Sequence, residues 1–148
     1  MSYDAMELGL LTVIRLHANY DANNSSQGDY RILGGGKTRA VVLNPGPFRA
    51  GVTMGNRYIS TDWEIVVSLF ILYRTDVPTT RKAIRDDRET LMDHINSYPT
   101  LNGTSNARNV LLTSGQQPEI WRMDDEAQWW MQTMSVAVTE GKTVSNAE

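Results

Sequence analysis

The stretch Trp63-Glu-Ile-Val-Val-Ser-Leu-Phe-Ile-Leu-Tyr-Arg74 decides the fold. Its odd positions, Trp63, Ile65, Val67, Leu69, Ile71 and Tyr73, form one face of a β-strand at period two. The even positions run Glu64, Val66, Ser68, Phe70, Leu72 and Arg74, so the second face is partly apolar too. At about 3.3 Å per residue the strand reaches roughly 36 Å, well beyond the usual length. A sheet in a small domain usually hides one face and wets the other. Here both faces need cover, either from a second layer of the same domain or from another subunit. Long strands of this kind suit proteins that build a continuous ring or tube, and an ordinary sandwiched strand is the plainer alternative.

Downstream, Thr75 or Asp76 is suited to N-cap a helix with Pro78 in its first turn, which predicts a helix from about Val77 to Ser97. Ile84, Leu91, Ile95 and Tyr98 share one face of it. Arg81, Lys82, Arg85, Asp86, Arg88, Glu89 and Asp93 mostly occupy the other. Pairs four apart there, Arg81 with Arg85 and Glu89 with Asp93, are like-signed and do not support the helix, so this face is expected to meet a partner. Pro99 and Gly103 end the helix. Val110-Leu-Leu-Thr starts an extended segment, Gly115-Gln-Gln-Pro breaks it, and Asp124-Asp-Glu forms an acidic turn. Gln128 to Thr139 reads as a last strand, followed by a polar tail from about Gly141. Trp129 and Trp130 point to opposite faces of that strand, so one enters the core while the other needs cover, and an interface is the expected cover.

Upstream, Leu8, Leu11, Ile14 and Ala18 predict a first helix over about Asp4 to Asn19. Asp21 to Asp29 is a cluster of turn formers and reads as a loop. Tyr30 to Leu33 reads as a short extended piece. Arg39-Ala-Val-Val-Leu reads as a strand of about six residues, stopped by Asn44-Pro-Gly-Pro. Arg49 to Tyr58 then connects it to the long strand as a hairpin with an extended loop, a place where contacts are often made. The expected fold class is α+β: a single domain over 1–148, with a mixed or antiparallel sheet, a long central strand and two flanking helices.

The 148 residues suffice for one domain with its own core, and the chain has no cysteine, which excludes disulfides, thiolate metal sites and thiol nucleophiles. A net charge of −3, with both signs interspersed, lacks the field of a general nucleic-acid binder. No signal peptide and no membrane span is read, so the chain is expected to be soluble. Gly36-Lys37-Thr38 resembles the end of a phosphate loop, but Arg31 stands where the leading glycine belongs and a strand follows where a helix is needed. A glycine-rich turn is the expected reading. His17 and His94 fall on different predicted helices, with no carboxylate or second histidine at ligand spacing, so no metal site is expected. Asp86-Asp87 reads as a solvated helix face in preference to an acid/base pair.

The N-terminal helix, the punctuated strands around Arg39 to Pro47, the Trp63 strand, the helix Arg81 to Tyr98 with its exit Tyr98-Pro-Thr-Leu-Asn-Gly, and the final Gln128-Trp-Trp-Met-Gln-Thr-Met-Ser-Val-Ala-Val together resemble the small tail terminator and neck proteins of long-tailed bacteriophages. The resemblance spans most of the chain and rests on pattern, not on a diagnostic motif. It implies a non-enzymatic virion protein, assembled in the host cytoplasm, with no cofactor. Such proteins form six-membered rings on the tail tube, stop its growth and present a surface to the head connector. The implied partners are further copies of the chain, the tail tube protein and the connector or neck proteins. No specific nucleic-acid contact is implied, although DNA is free to pass through the ring lumen. Candidate contacts are Arg49, Met54 and Arg57 of the hairpin loop, the basic side of the helix (Arg81, Lys82, Arg85 and Arg88), the acidic residues Asp124, Asp125 and Glu126 of a neighbour, and Trp129. Another neck component, a head or tail completion protein, is the near alternative. A small cytoplasmic binding module or enzyme using the glycine turn and Asp86-Asp87 is the distant one.

Overall fold

A computed structural model of the chain describes residues 2–33, 38–52, 58–72, 77–103, 107–123 and 127–143. In chain order the elements are α1 (Ser2–Arg15), β1 (Ser25–Gln27), a 3-10 turn (Tyr30–Leu33), β2 (Arg39–Val52), β3 (Tyr58–Leu72), α2 (Val77–Asn96), β4 (Ala107–Gly115), β5 (Glu119–Met123) and β6 (Ala127–Thr143). The fold is α+β, a six-stranded mixed sheet with spatial order β1-β2-β3-β6-β4. β5 pairs with β6 on the same edge as β4. Among the described residues only the β1–β2 pair is parallel.

The long strand lies at the centre, flanked by β2 and by β6, with which it pairs from Tyr58↔Thr143 to Leu72↔Trp129. Its odd side chains behave as their period requires. Ile65, Val67, Leu69 and Ile71 join Met134, Val136 and Val138 of β6 under α1 and α2 in the main core. From the helices come Met6, Leu10, Val13 and Ile14 of α1, and Ile84, Leu91 and Ile95 of α2. Each such aliphatic side chain, once fully buried, contributes about 1.5–3 kcal/mol.

The even face is covered at one end only. Phe70 packs with Ala40, Val42, Trp129 and Leu33 in a second, smaller core. The 3-10 turn, where an extended piece was expected, supplies that cover: Leu33 is buried, and the Tyr30 ring meets Phe70 edge-on at 6.0 Å. Cover for Phe70 and Trp129 therefore comes from within the chain. Toward the other end no described helix or turn packs over the face. Val66, Ser135 and Ala137 are half-buried, Asp62 is exposed, and Leu111 of β4, opposite Ala137, is 47% exposed.

Asn44-Pro-Gly-Pro does not stop β2. The strand passes through it with a β-bulge between Pro45 and Phe48 and continues to Val52. A bulge tolerates proline because the extra residue leaves the ladder anyway. Space is tight at Gly46, where a Cβ would sit 3.0 Å from the Glu64 carbonyl oxygen and the neighbouring strand would have to give by a few tenths of an ångström. The bulge moves Phe48 onto the helix-side face, where its ring lies 5.3 Å from Trp63 while staying 65% exposed.

The first helix ends at Arg15, short of the expected Asn19, as the chain tightens into i→i+3 bonds from Leu16 to Val13 and from His17 to Ile14. Arg15 then donates to the Ser25 hydroxyl (2.8 Å) and carbonyl (2.9 Å), which ties β1 to the helix. Neighbouring Ser25↔Val41 pairing makes a strand within a segment read as loop. The second helix starts at Val77 as expected and closes at Asn96. Its anticipated N-cap, Thr75 or Asp76, lies outside the described residues. Leu101, Asn102 and Gly103 follow with φ of 51°, 55° and 83°. Left-handed leucine is strained, and the burial of its side chain in the main core holds it there. The last strand begins at Ala127 and extends to Thr143, through the expected start of the polar tail.

Candidate functional site

On the edge of β6 away from β3, β5 covers residues 127–131 and β4 covers 134–140, so the ladder is interrupted opposite Gln132 and Thr133. The linker Gln116–Pro118 spans the gap, with the Gln116 amide donating to the Thr133 carbonyl at 2.7 Å. Gln132 donates through Nε2 to the Gln116 carbonyl at 2.8 Å. The amide side chain is 3% exposed, and its Oε1 has no hydrogen-bond partner among the described residues.

Between this interruption and α2 runs a groove. One part, about 780 Å³, is lined by Arg81, Lys82, Arg85 and Arg88 on the helix and by Trp130 and Gln132 on the sheet. A second part, about 520 Å³, shares Arg88 and Gln132 with the first and adds the apolar side chains of Met92, Leu112 and Met134. The expected basic stripe is thus brought together around one depression. Residues 81, 85 and 88 recur at four and three positions, which places them in a row along the helix. Arg85 makes a loose pair with Asp86, at 3.8 Å and largely in solvent. Arg81, Lys82 and Arg88 have no carboxylate partner among the described residues. With no acidic residue in the first turn of α2, the positive end of the helix adds to their field.

The other expected contacts are placed differently. Trp129, expected at an interface, is 1% exposed in the second core, so that reading is corrected. The strand parity was read properly, and it is Trp130 that lies half-buried on the helix side beside the groove. Arg49 is placed by its backbone alone, opposite Asp62 in the extension of β2. Met54, Arg57, Asp124, Asp125 and Glu126 lie outside the described residues, as do the glycine turn at 34–36 and Lys37.

A second polar cluster forms where the helices meet. Asp87, read as solvated, is 8% exposed and faces Arg39, with Oδ2 to Nη1 at 3.4 Å. Burial pushes its carboxyl above the usual carboxylate range, opposed by the charges of Arg39 and His17. The same carboxylate, after burial itself, raises the Tyr20 phenol. His17 and His94, distant in sequence, have ring centroids 5.1 Å apart, and His94 Nε2 lies 2.6 Å from the Val13 carbonyl oxygen. Desolvation first, and the neighbouring His94 second, hold His17 below the ordinary imidazole value. Among the described residues no three histidine or carboxylate side chains converge as a metal would need.

No helix among the described residues is long and apolar enough to cross a membrane. No protein-family model and no curated protein sequence matches this chain.

Proposed function

We propose that the chain is a non-enzymatic structural subunit, a tail terminator that closes into a ring on the tail tube of a long-tailed phage and joins it to the head connector. The observation that carries this reading is the uneven cover of the sheet. Helices protect one face, the 3-10 turn protects one end of the other, and the remainder presents half-buried small side chains beside exposed Leu111. Strands β2, β3 and β6, of 14, 15 and 17 residues, are two to three times the common length of about 5–6. Beyond Trp63 these three strands stay paired as far as Ile59↔Val52 and Tyr58↔Thr143, with β4 alongside β6 to Glu140. A subunit with one sheet face under helices and the other only partly covered has two different surfaces to offer, which is what a heterologous contact repeated around a closed ring uses. The likeness of element order to tail terminator and neck proteins supplies the phage setting.

The test is light scattering over a concentration series, with negative-stain images and with tail tubes added. Closed six-membered rings are the expected product, formed alone or on tubes. The variant Ala137→Arg, which puts a long cation on the partly covered face opposite Leu111, is expected to stay folded and monomeric. A wild-type chain that neither self-associates nor binds tubes overturns the reading.

A further inference from the structure

The basic groove goes beyond that reading, because it lies on the helix side of the sheet, away from the partly covered face on which the ring proposal rests. We infer that the groove between α2 and the interrupted sheet edge binds an extended acidic segment of a partner polypeptide. Carboxylates of the segment lie along Arg81, Lys82, Arg85 and Arg88, and an apolar side chain enters the end formed by Met92 and Met134.

Two observations select this occupant. The first is charge: a row of cations spaced four and three apart is mutually repulsive on an isolated helix, and anionic oxygens relieve that repulsion with charge-assisted hydrogen bonds. The second is the apolar continuation at Met92, Leu112 and Met134, which a uniformly charged polymer would leave unfilled while a peptide of mixed character fills it. The overall charge of −3 acts in the same direction, because it repels a long polyanion and tolerates a short acidic segment. A volume of about 780 Å³ lies within the roughly 300–1,000 Å³ of ordinary ligand sites.

The experiment is fluorescence anisotropy with the full chain and a fluorescein-labelled peptide of three glutamates, a glycine and two leucines. A single-stranded oligothymidine of matched charge is the second probe. Saturable binding of the peptide is expected, weakened about tenfold or more in Arg85→Glu/Arg88→Glu and unchanged in Arg31→Glu on the exposed 3-10 turn. Unchanged urea midpoints establish that the variants fold. Three outcomes overturn the inference: no peptide binding, peptide binding indifferent to Arg85 and Arg88, or oligothymidine binding equal to or tighter than peptide. The assay reads the groove in a monomer or a ring alike, so its failure leaves the ring proposal standing, and a chain that binds peptide without forming rings leaves this inference standing.

Discussion

His17 and Asp87 stand close enough to influence each other, yet their proton equilibria pull stability in opposite directions. The fold holds His17 below its ordinary value near 6.5, so the unfolded chain binds that proton more readily. Its contribution is intact above about pH 6.5 and is lost as pH falls through that value toward the lowered folded one. Asp87 is raised, so the folded chain keeps its proton longer, and the associated stability is lost as pH rises from about 3.8 through the raised folded value. Between pH 7.5 and 5.5 the His17 slope is expected to show as a falling thermal midpoint. His17→Gln should flatten that fall, and a variant with the same slope as the wild type would remove His17 as its source. Neither behaviour was legible in the sequence, because the rings of His17 and His94 meet only through the packing of α1 on α2. Asp87 looked like its neighbour Asp86 for the same reason: a one-residue step around the helix takes it from solvent to the edge of the core, against Arg39 of the sheet.

At the scale of elements, the second core is the feature with the largest expected consequence. Phe70 is fully buried there, and a phenylalanine truncated in a core costs about 3–5 kcal/mol. Phe70→Ala should therefore lower the unfolding free energy of the dilute monomer, read from urea titration, by that amount. A small loss in the monomer that grows with protein concentration would instead place the cover of this face in a neighbouring copy. The alternation around Phe70 was readable, since period two needs only the order of residues, and the α2 boundaries were readable from Pro78 and Pro99. The 3-10 turn that covers Phe70 was not, because Tyr30 to Leu33 has no periodicity of its own and is shaped by the surface it packs on. Strand β1 was hidden for a related reason: Ser25 to Gln27 consists of turn formers, recruited by β2 and by Arg15. The prolines at 45 and 47 suggested a stop because their missing N–H groups disfavour a ladder, yet a bulge accommodates them when strands on either side of the interruption are long. In the groove, the basic stripe was legible from helix spacing alone. Gln132 was not, since its place there comes from a gap in the edge strands that no local pattern announces.

For the whole molecule, two kinds of attraction can be separated by salt. The fold rests on buried aliphatic and aromatic groups, which screening hardly touches, whereas contacts through the groove rest on exposed cations whose field shrinks from about 10 Å at 0.1 M to about 3 Å at 1 M salt. Raising sodium chloride across that range should weaken acidic-peptide binding by about tenfold or more while leaving the urea midpoint nearly constant. A parallel loss of both would mean that the cations hold the monomer together. The separation also fits a subunit that must be stable by itself before it meets a partner.

Strand β6 is the last strand of the described chain, and it pairs with β3, β4 and β5. During synthesis the β2–β3 hairpin leaves the ribosome with one flank unoccupied, and no amount of waiting lets it finish. The main core lacks Met134, Val136 and Val138, and the second lacks Trp129, until that final segment emerges. Emergence of β6 thus closes both layers at once, and a chain cut short before β6 is left as an open, adhesive sheet edge, a natural target for chaperones and proteases.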